Sequence, residues 1–142
     1  MLGAPAPNPC ISCPYRRDVP SGVWSAHEYA KLPLYDGPTW RQSARLFQCH
    51  QTDRDSSQAR LCAGWVGCHG GEELLALRIA GPNRTMESHD IQASMAYKTK
   101  VPLFESGAAA AEHGMRDIEN RSDEARDMAE KIGNRRADVM YG

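Results

Sequence analysis

Five cysteines lie between positions 10 and 68: Cys10, Cys13, Cys49, Cys62 and Cys68. Two of them carry a histidine directly behind, as Cys49-His50 and Cys68-His69. Thiolate sulfur and imidazole nitrogen are the groups zinc and iron take as ligands, so the first chemistry this pattern suggests is metal binding. Cys10 and Cys13 form a C-x-x-C knuckle, a spacing that lets one turn present two thiolates to a single tetrahedral ion. Cys49 and Cys62 complete a set of four, although Cys68 can stand in for Cys62, and His50 and His69 are each able to bind zinc. The plainer account of those two histidines is that they support the site from behind or lie on the surface, because adjacent residues rarely both reach one ion. The spacing departs from a zinc ribbon, whose second pair is another short knuckle. It suits an irregular structural zinc site, and also a [4Fe-4S] cluster held by four cysteines. Pro14 behind Cys13 is a weak cue toward the cluster.

Other chemistries fare worse. A thioredoxin-like motif needs a strand before the C-x-x-C and a helix after it, whereas Cys10 follows the Pro-rich MLGAPAPNP. A cysteine nucleophile needs a base placed in space, and sequence adjacency of Cys49 or Cys68 to a histidine does not supply one. His27, His89 and His113 have no such neighbour and read as surface histidines. No P-loop, dinucleotide fingerprint, H-E-x-x-H or nucleophile elbow occurs. Arg16 and Arg17, beside Tyr15 and Trp24, could make a small basic-aromatic face for nucleic acid. The simpler expectation is that Arg16 caps carbonyls and Arg17 pairs with Asp18, since the chain as a whole has a formal charge of only −1.

The whole chain is short of core material. Its 142 residues include two Phe and three Trp against 12 Gly and 9 Pro. Such a composition invites a metal or cross-link to stabilise the fold. No apolar run approaches the roughly 18 residues of a membrane span, and the N-terminus lacks the basic and apolar parts of a secretory signal. The expectation is a reduced, cytoplasmic protein whose cysteines are ligands rather than disulfides, a reading the odd cysteine count supports.

The elements that must position the cysteines follow from local signals. Residues 1–9 are expected as a flexible lead-in. Ser25-Ala-His-Glu28 fits a capping box, with Trp24 and Tyr29 as its hydrophobic staple, so a helix is predicted over 26–32, stopped by Pro33. Thr39-Trp-Arg-Gln42 predicts a second short helix over 40–45, and Arg45 to Cys49 is expected to leave it as a strand. A polar loop follows, and the small apolar Ala63-Gly-Trp-Val-Gly67 is suited to wrapping a ligand sphere. Gly70-Gly71 opens a predicted helix through about Ala80, which Gly81-Pro82 closes. Beyond it the pattern predicts a weakly amphipathic segment over 86–97, an apolar strap Val101–Phe104, an Ala-rich helix capped by Ser106 and ending near Gly114, and a last helix from Ser122 to about Ile132. The fold class expected is mostly α with short irregular or β segments. It divides into a metal-stapled domain over 10–80 and a helical extension over 81–142.

The stretches Cys10–Trp24, Leu46–Gln51 and Leu61–Gly70 resemble a family of small cysteine-rich proteins of actinobacteria and their bacteriophages, to which no function is assigned. The likeness continues through Leu74–Arg78 and Val101–Gly107, and departs mainly over 81–93 and in the extreme tail. The resemblance implies Cys10, Cys13, Cys49 and Cys62 as the ligand set, with Cys68 an accessory. Four cysteines and no open-site signature lead to a non-enzymatic, metal-binding module that acts on a host protein or nucleoprotein complex. Two alternatives stand beside it: an iron-sulfur redox or nitric-oxide sensor controlling transcription, and a zinc enzyme with three protein ligands plus water, in which His50 could serve as a ligand.

Overall fold

A computed structural model describes residues 1–51 and 57–135. The centre of the polar loop, 52–56, and the tail from 136 lie outside the described residues. The described residues are mostly helical, with six α-helices in order: α1 Ala26–Tyr29, α2 Ala63–His69, α3 Leu75–Arg78, α4 Ser88–Met95, α5 Gly107–Met115 and α6 Asp123–Arg135. Short 3-10 turns at Leu32–Tyr35, Thr39–Arg41 and Gly71–Glu73 join them. Extended pairing among the described residues is confined to isolated bridges, so the strand expected over 45–49 is reduced to Gln48 facing Leu61.

Caps decide where several helices begin. The Ser25 side chain accepts from the Glu28 amide as the capping box requires, but Glu28 turns outward to Lys31 at 3.1 Å instead of reaching back. α1 stops at Tyr29, and Pro33 falls in the first positions of the 3-10 turn Leu32–Tyr35, where a proline's missing amide costs nothing. Thr39-Trp-Arg-Gln42 gives one 3-10 turn and not the helix expected over 40–45. Its two polar side chains are used elsewhere: the Thr39 hydroxyl and the Gln42 amide both donate to the Glu73 carbonyl, and the Gln42 carbonyl accepts from the Leu75 amide. The Gln42 carbonyl thereby caps α3 from 33 residues away, a pairing that local pattern does not reveal.

The helix predicted from Gly70 arrives in two pieces, a 3-10 turn and then α3. Gly70 sits at φ 81°, a left-handed conformation that ends α2, and its amide closes on the Val66 carbonyl at 2.8 Å. α5 and α6 start as expected, with the Ser106 and Ser122 hydroxyls accepting from the Ala109 and Ala125 amides.

A hydrophobic cluster runs from Cys13 to Ile132, with Tyr15, Leu61, Trp65, Val66, Leu74 and Leu77 at its centre. Burying such side chains contributes about 1.5–3 kcal/mol each. The C-terminal helices share this core, because α5 packs on α1 and on the Leu32–Tyr35 turn. The expected strap is present: the Phe104 amide donates to the Tyr15 carbonyl and the Arg17 amide to the Pro102 carbonyl, which lays 102–104 along the exit from the C-x-x-C knuckle. Residues at the N-terminus are hydrogen-bonded onto the same body. Gly3 exchanges bonds with Ala59 and Leu61, and the Ala4 amide donates to Asp90. His113 departs from the surface expectation, since its Nε2 lies 2.7 Å from the Val19 carbonyl and its ring packs on Phe104.

Candidate metal centre

Three separate segments deliver the cysteines to one place. The first is the knuckle, where the Cys13 amide donates to the Cys10 carbonyl at 3.0 Å and closes a tight turn. The second and third are 47–49 and 60–62, which pair in antiparallel fashion. The Cys49 amide donates to the Arg60 carbonyl and the Cys62 amide to the Phe47 carbonyl, both at 2.8 Å. This pairing brings the two ends of the polar loop side by side. Cys62 then precedes the first turn of α2, and Gly64 packs against the knuckle. A Cβ at Gly64 would collide with the Cys13 sulfur and lie 2.9 Å from the Tyr15 Cβ.

The thiols influence one another's ionisation in the order Cys49, Cys10, Cys13 and Cys62, each acting on the next. The last pair is 3.8 Å apart and buried. A tetrahedral ion with bonds of ~2.3 Å to sulfur has sulfur–sulfur edges of about 3.8 Å, so this pair already has the spacing of two ligands of one zinc. No group of three or more His, Cys, Asp or Glu side chains is arranged as a ready metal sphere among the described residues.

Neighbouring thiols push one another's ionisation apart. Contacts from Cys13 and Cys49, with His50 beside it, hold the Cys10 thiol far below its ordinary range. Cys13 is driven up by its contacts with Cys10 and Cys62 and by burial, and Cys49 is driven up by Cys10 and by burial. Touching thiols cannot all ionise alone; a bound cation removes that restriction.

His50 is brought to the cluster, but onto a sulfur. Its Nε2 lies 2.9 Å from Cys10 Sγ and 3.1 Å from Ser12 Oγ. Its ring stands edge-on to Trp24 at 4.4 Å, and the Trp24 indole donates to the Ser12 carbonyl at 2.9 Å. Ser12 and Trp24 thus fix the imidazole that supports Cys10, a role for which local pattern gives no signal. Cys68 and His69 lie apart from these thiols at the far end of α2. Burial, then the charges of Asp36 and Glu105, push the Cys68 thiol up to about 12. Burial lowers His69, against the pull of Asp36.

The basic-aromatic face is consumed internally. Arg16 caps the Pro9 carbonyl at 2.9 Å as expected, but it is also the partner of Asp18, at 2.7 Å. Arg17 instead bonds the Leu103 carbonyl and Glu105, at 2.8 and 2.7 Å, and stacks over Phe104. Tyr15 and Trp24 are buried. No helix among the described residues is long and apolar enough to cross a membrane.

Residues 5–136 match a family of unknown function, DUF6283, and the chain belongs to it. No curated protein and no solved structure matches the chain.

Proposed function

We propose that this protein is a non-enzymatic, metal-stapled binding or regulatory module in which Cys10, Cys13, Cys49 and Cys62 hold one zinc ion. The observation that carries this reading is the contact of Cys13 and Cys62 at the spacing of a tetrahedral edge, with Cys10 and Cys49 brought beside them from the same three chain segments. A four-iron cube puts each thiolate on a different iron and keeps the sulfurs farther apart than ligands of one ion, so the 3.8 Å contact favours zinc over the cluster alternative. With four sulfurs bound, no position is left for a catalytic water, and His50 acts as a sulfur partner that raises ligand affinity from outside.

Such an ion would do structural work on a thin core and would hold a surface in place. Ile11, in the middle of the knuckle, is 77% exposed, and Trp40 is 72% exposed. Apolar groups presented on rigid turns are what a macromolecular partner recognises, which supports the reading of a module that acts on a host protein or nucleoprotein complex.

The test is metal content and X-ray absorption on protein purified without air. One zinc per chain with four sulfur neighbours is expected, and His50→Ala should keep that coordination while weakening affinity roughly 10–100-fold. A brown preparation holding iron and sulfide would transfer the site to the sensor reading. A sphere of three ligands and water that changes in His50→Ala would transfer it to the enzyme reading.

A further inference from the structure

The four thiols differ in how far a dissolved reagent can reach them. Cys13, Cys49 and Cys62 are buried, whereas Cys10 is half-buried. The other half-buried cysteine, Cys68, stands at the end of α2 opposite Cys62. Cys10 Sγ lies 2.9 Å from His50 Nε2 and 3.9 Å from Ser12 Oγ. A cavity of about 100 Å³ opens over these two partners, walled by Ile11, Ser12, His50 and Gln51 on one side and by α6 at Met128 and Lys131 on the other. It has room for a molecule of the size of water or hydrogen peroxide.

Behind Cys10 the knuckle leads inward to Cys13, whose amide closes the turn on the Cys10 carbonyl at 3.0 Å. Cys13 Sγ in turn is 3.8 Å from Cys62 Sγ, and the two residues are 49 positions apart in the chain. Both cysteines are free, and a bond between them needs about 1.8 Å of further approach. The fold already holds these distant positions together, and burial shields their sulfurs from reductants. A disulfide there is therefore favoured over one inside the more exposed C-x-x-C turn.

We propose that the thiols form a hydroperoxide-responsive switch, in which oxidation enters at Cys10, passes inward and ends as a Cys13–Cys62 disulfide that expels a bound ion. The ion release rests on the metal reading; the disulfide does not. In the first step the Cys10 sulfur takes the terminal peroxide oxygen and becomes a sulfenic acid. The O–O bond breaks, and the other oxygen leaves as water or alcohol with the Cys10 proton. Ser12 and His50 stand beside the sulfur, where they can hydrogen-bond that departing oxygen. The Cys13 sulfur then attacks the Cys10 sulfur, and the hydroxyl leaves as water with the Cys13 proton. Cys62 finally attacks the Cys13 sulfur, and its proton goes to the released Cys10. In sum, two thiols lose two electrons and two protons, and one hydroperoxide is reduced. Where the sulfurs are metal-bound thiolates, solvent supplies the two protons. Loss of two of four ligands releases the ion and frees the turn that presents Ile11.

The experiment treats the full chain, purified without air, with one equivalent of hydrogen peroxide. Zinc release is followed with a chromophoric chelator, a carbon-acid reagent traps sulfenic acid, and the remaining thiols are alkylated before digestion and fragment mass mapping. The first label is expected on Cys10, and the end product is a Cys13–Cys62 disulfide with Cys10, Cys49 and Cys68 alkylated. A dithiol reductant should reverse it and restore zinc uptake. Cys10→Ser should slow disulfide formation by about ten-fold or more, and Cys62→Ser should stop the reaction at a Cys10–Cys13 disulfide. The map of the unsubstituted chain decides the matter even where a variant fails to fold. A first label elsewhere, a final disulfide between other cysteines, or thiols that all stay free overturns the proposal. Protein that carries no zinc yet forms the Cys13–Cys62 bond refutes the metal reading and upholds the relay. Four-sulfur zinc that stays bound under peroxide does the reverse.

Discussion

Cys10 stands at the centre of the thiol group, because Cys13 and Cys49 both act on its ionisation and an imidazole lies against its sulfur. Its thiol is the one held low, while Cys13 and Cys49 are held high. A metal that binds all of them as thiolates must therefore displace the protons that Cys13 and Cys49 keep in the free protein. Protons present in the free state and absent in the bound state make affinity rise with pH. Zinc titrations in two buffers of different ionisation enthalpy should register the release of two or more protons, with apparent affinity falling as pH is lowered from 8 to 6 by about ten-fold or more per unit. Affinity independent of pH would mean that the thiols are not the ligands. Legibility at this scale was uneven. The four cysteines are conspicuous as residue types, whereas the pairing of His50 with Cys10, 40 positions away, depends on where the Trp24 ring stands.

Among the elements, α2 joins the thiols to a group of carboxylates. It starts at Cys62 in the thiol group and ends at His69, in a cleft walled by Asp36, Glu73 and Glu105. Gly64 in its first turn is where the helix meets the knuckle, since any side chain there collides with the Cys13 sulfur. Gly64→Ala is expected to destabilise the fold by roughly 1–3 kcal/mol, read from denaturant unfolding, and to weaken metal binding together with it. An unchanged midpoint would show that the knuckle can shift away at no cost. The caps at Ser25, Ser106 and Ser122 were legible because a hydroxyl and an amide three residues on are local facts. Local pattern fails at Thr39 and Gln42, whose side chains bond Glu73 and the first amide of α3 and leave their own turn uncapped. Glu28 offers a further case: Lys31, one turn on, takes the carboxylate the capping box was expected to use.

For the molecule as a whole, the question is whether residues 81–142 are an addition to the cysteine-bearing part or share its stability. The core cluster is continuous from Cys13 to Ile132, and the strap at 102–104 bonds directly to Tyr15 and Arg17, just beyond the knuckle. Removing the ion with a chelator should therefore lower the stability of everything at once. We expect one cooperative thermal transition, shifted down by on the order of 10 °C or more, with the α5 and α6 helical signal lost in step with tryptophan fluorescence. Two separate transitions would divide the chain into two units.

The sequence by itself determined which reactive side chains the fold has to place, because five cysteines stand in a chain poor in large apolar residues. It also determined most helix starts and the mostly helical class, since caps and periodicity act within one or two turns. Only the tertiary structure decided which thiols touch. That outcome needed the antiparallel pairing of 47–49 with 60–62, whose register is fixed by backbone bonds across a loop. It alone placed Cys68 and His69 beside Asp36 and Glu105, at the end of α2 opposite Cys62. The cleft they line was invisible in the chain, for its carboxylates come from positions 36, 73 and 105 and share nothing until packing brings them together.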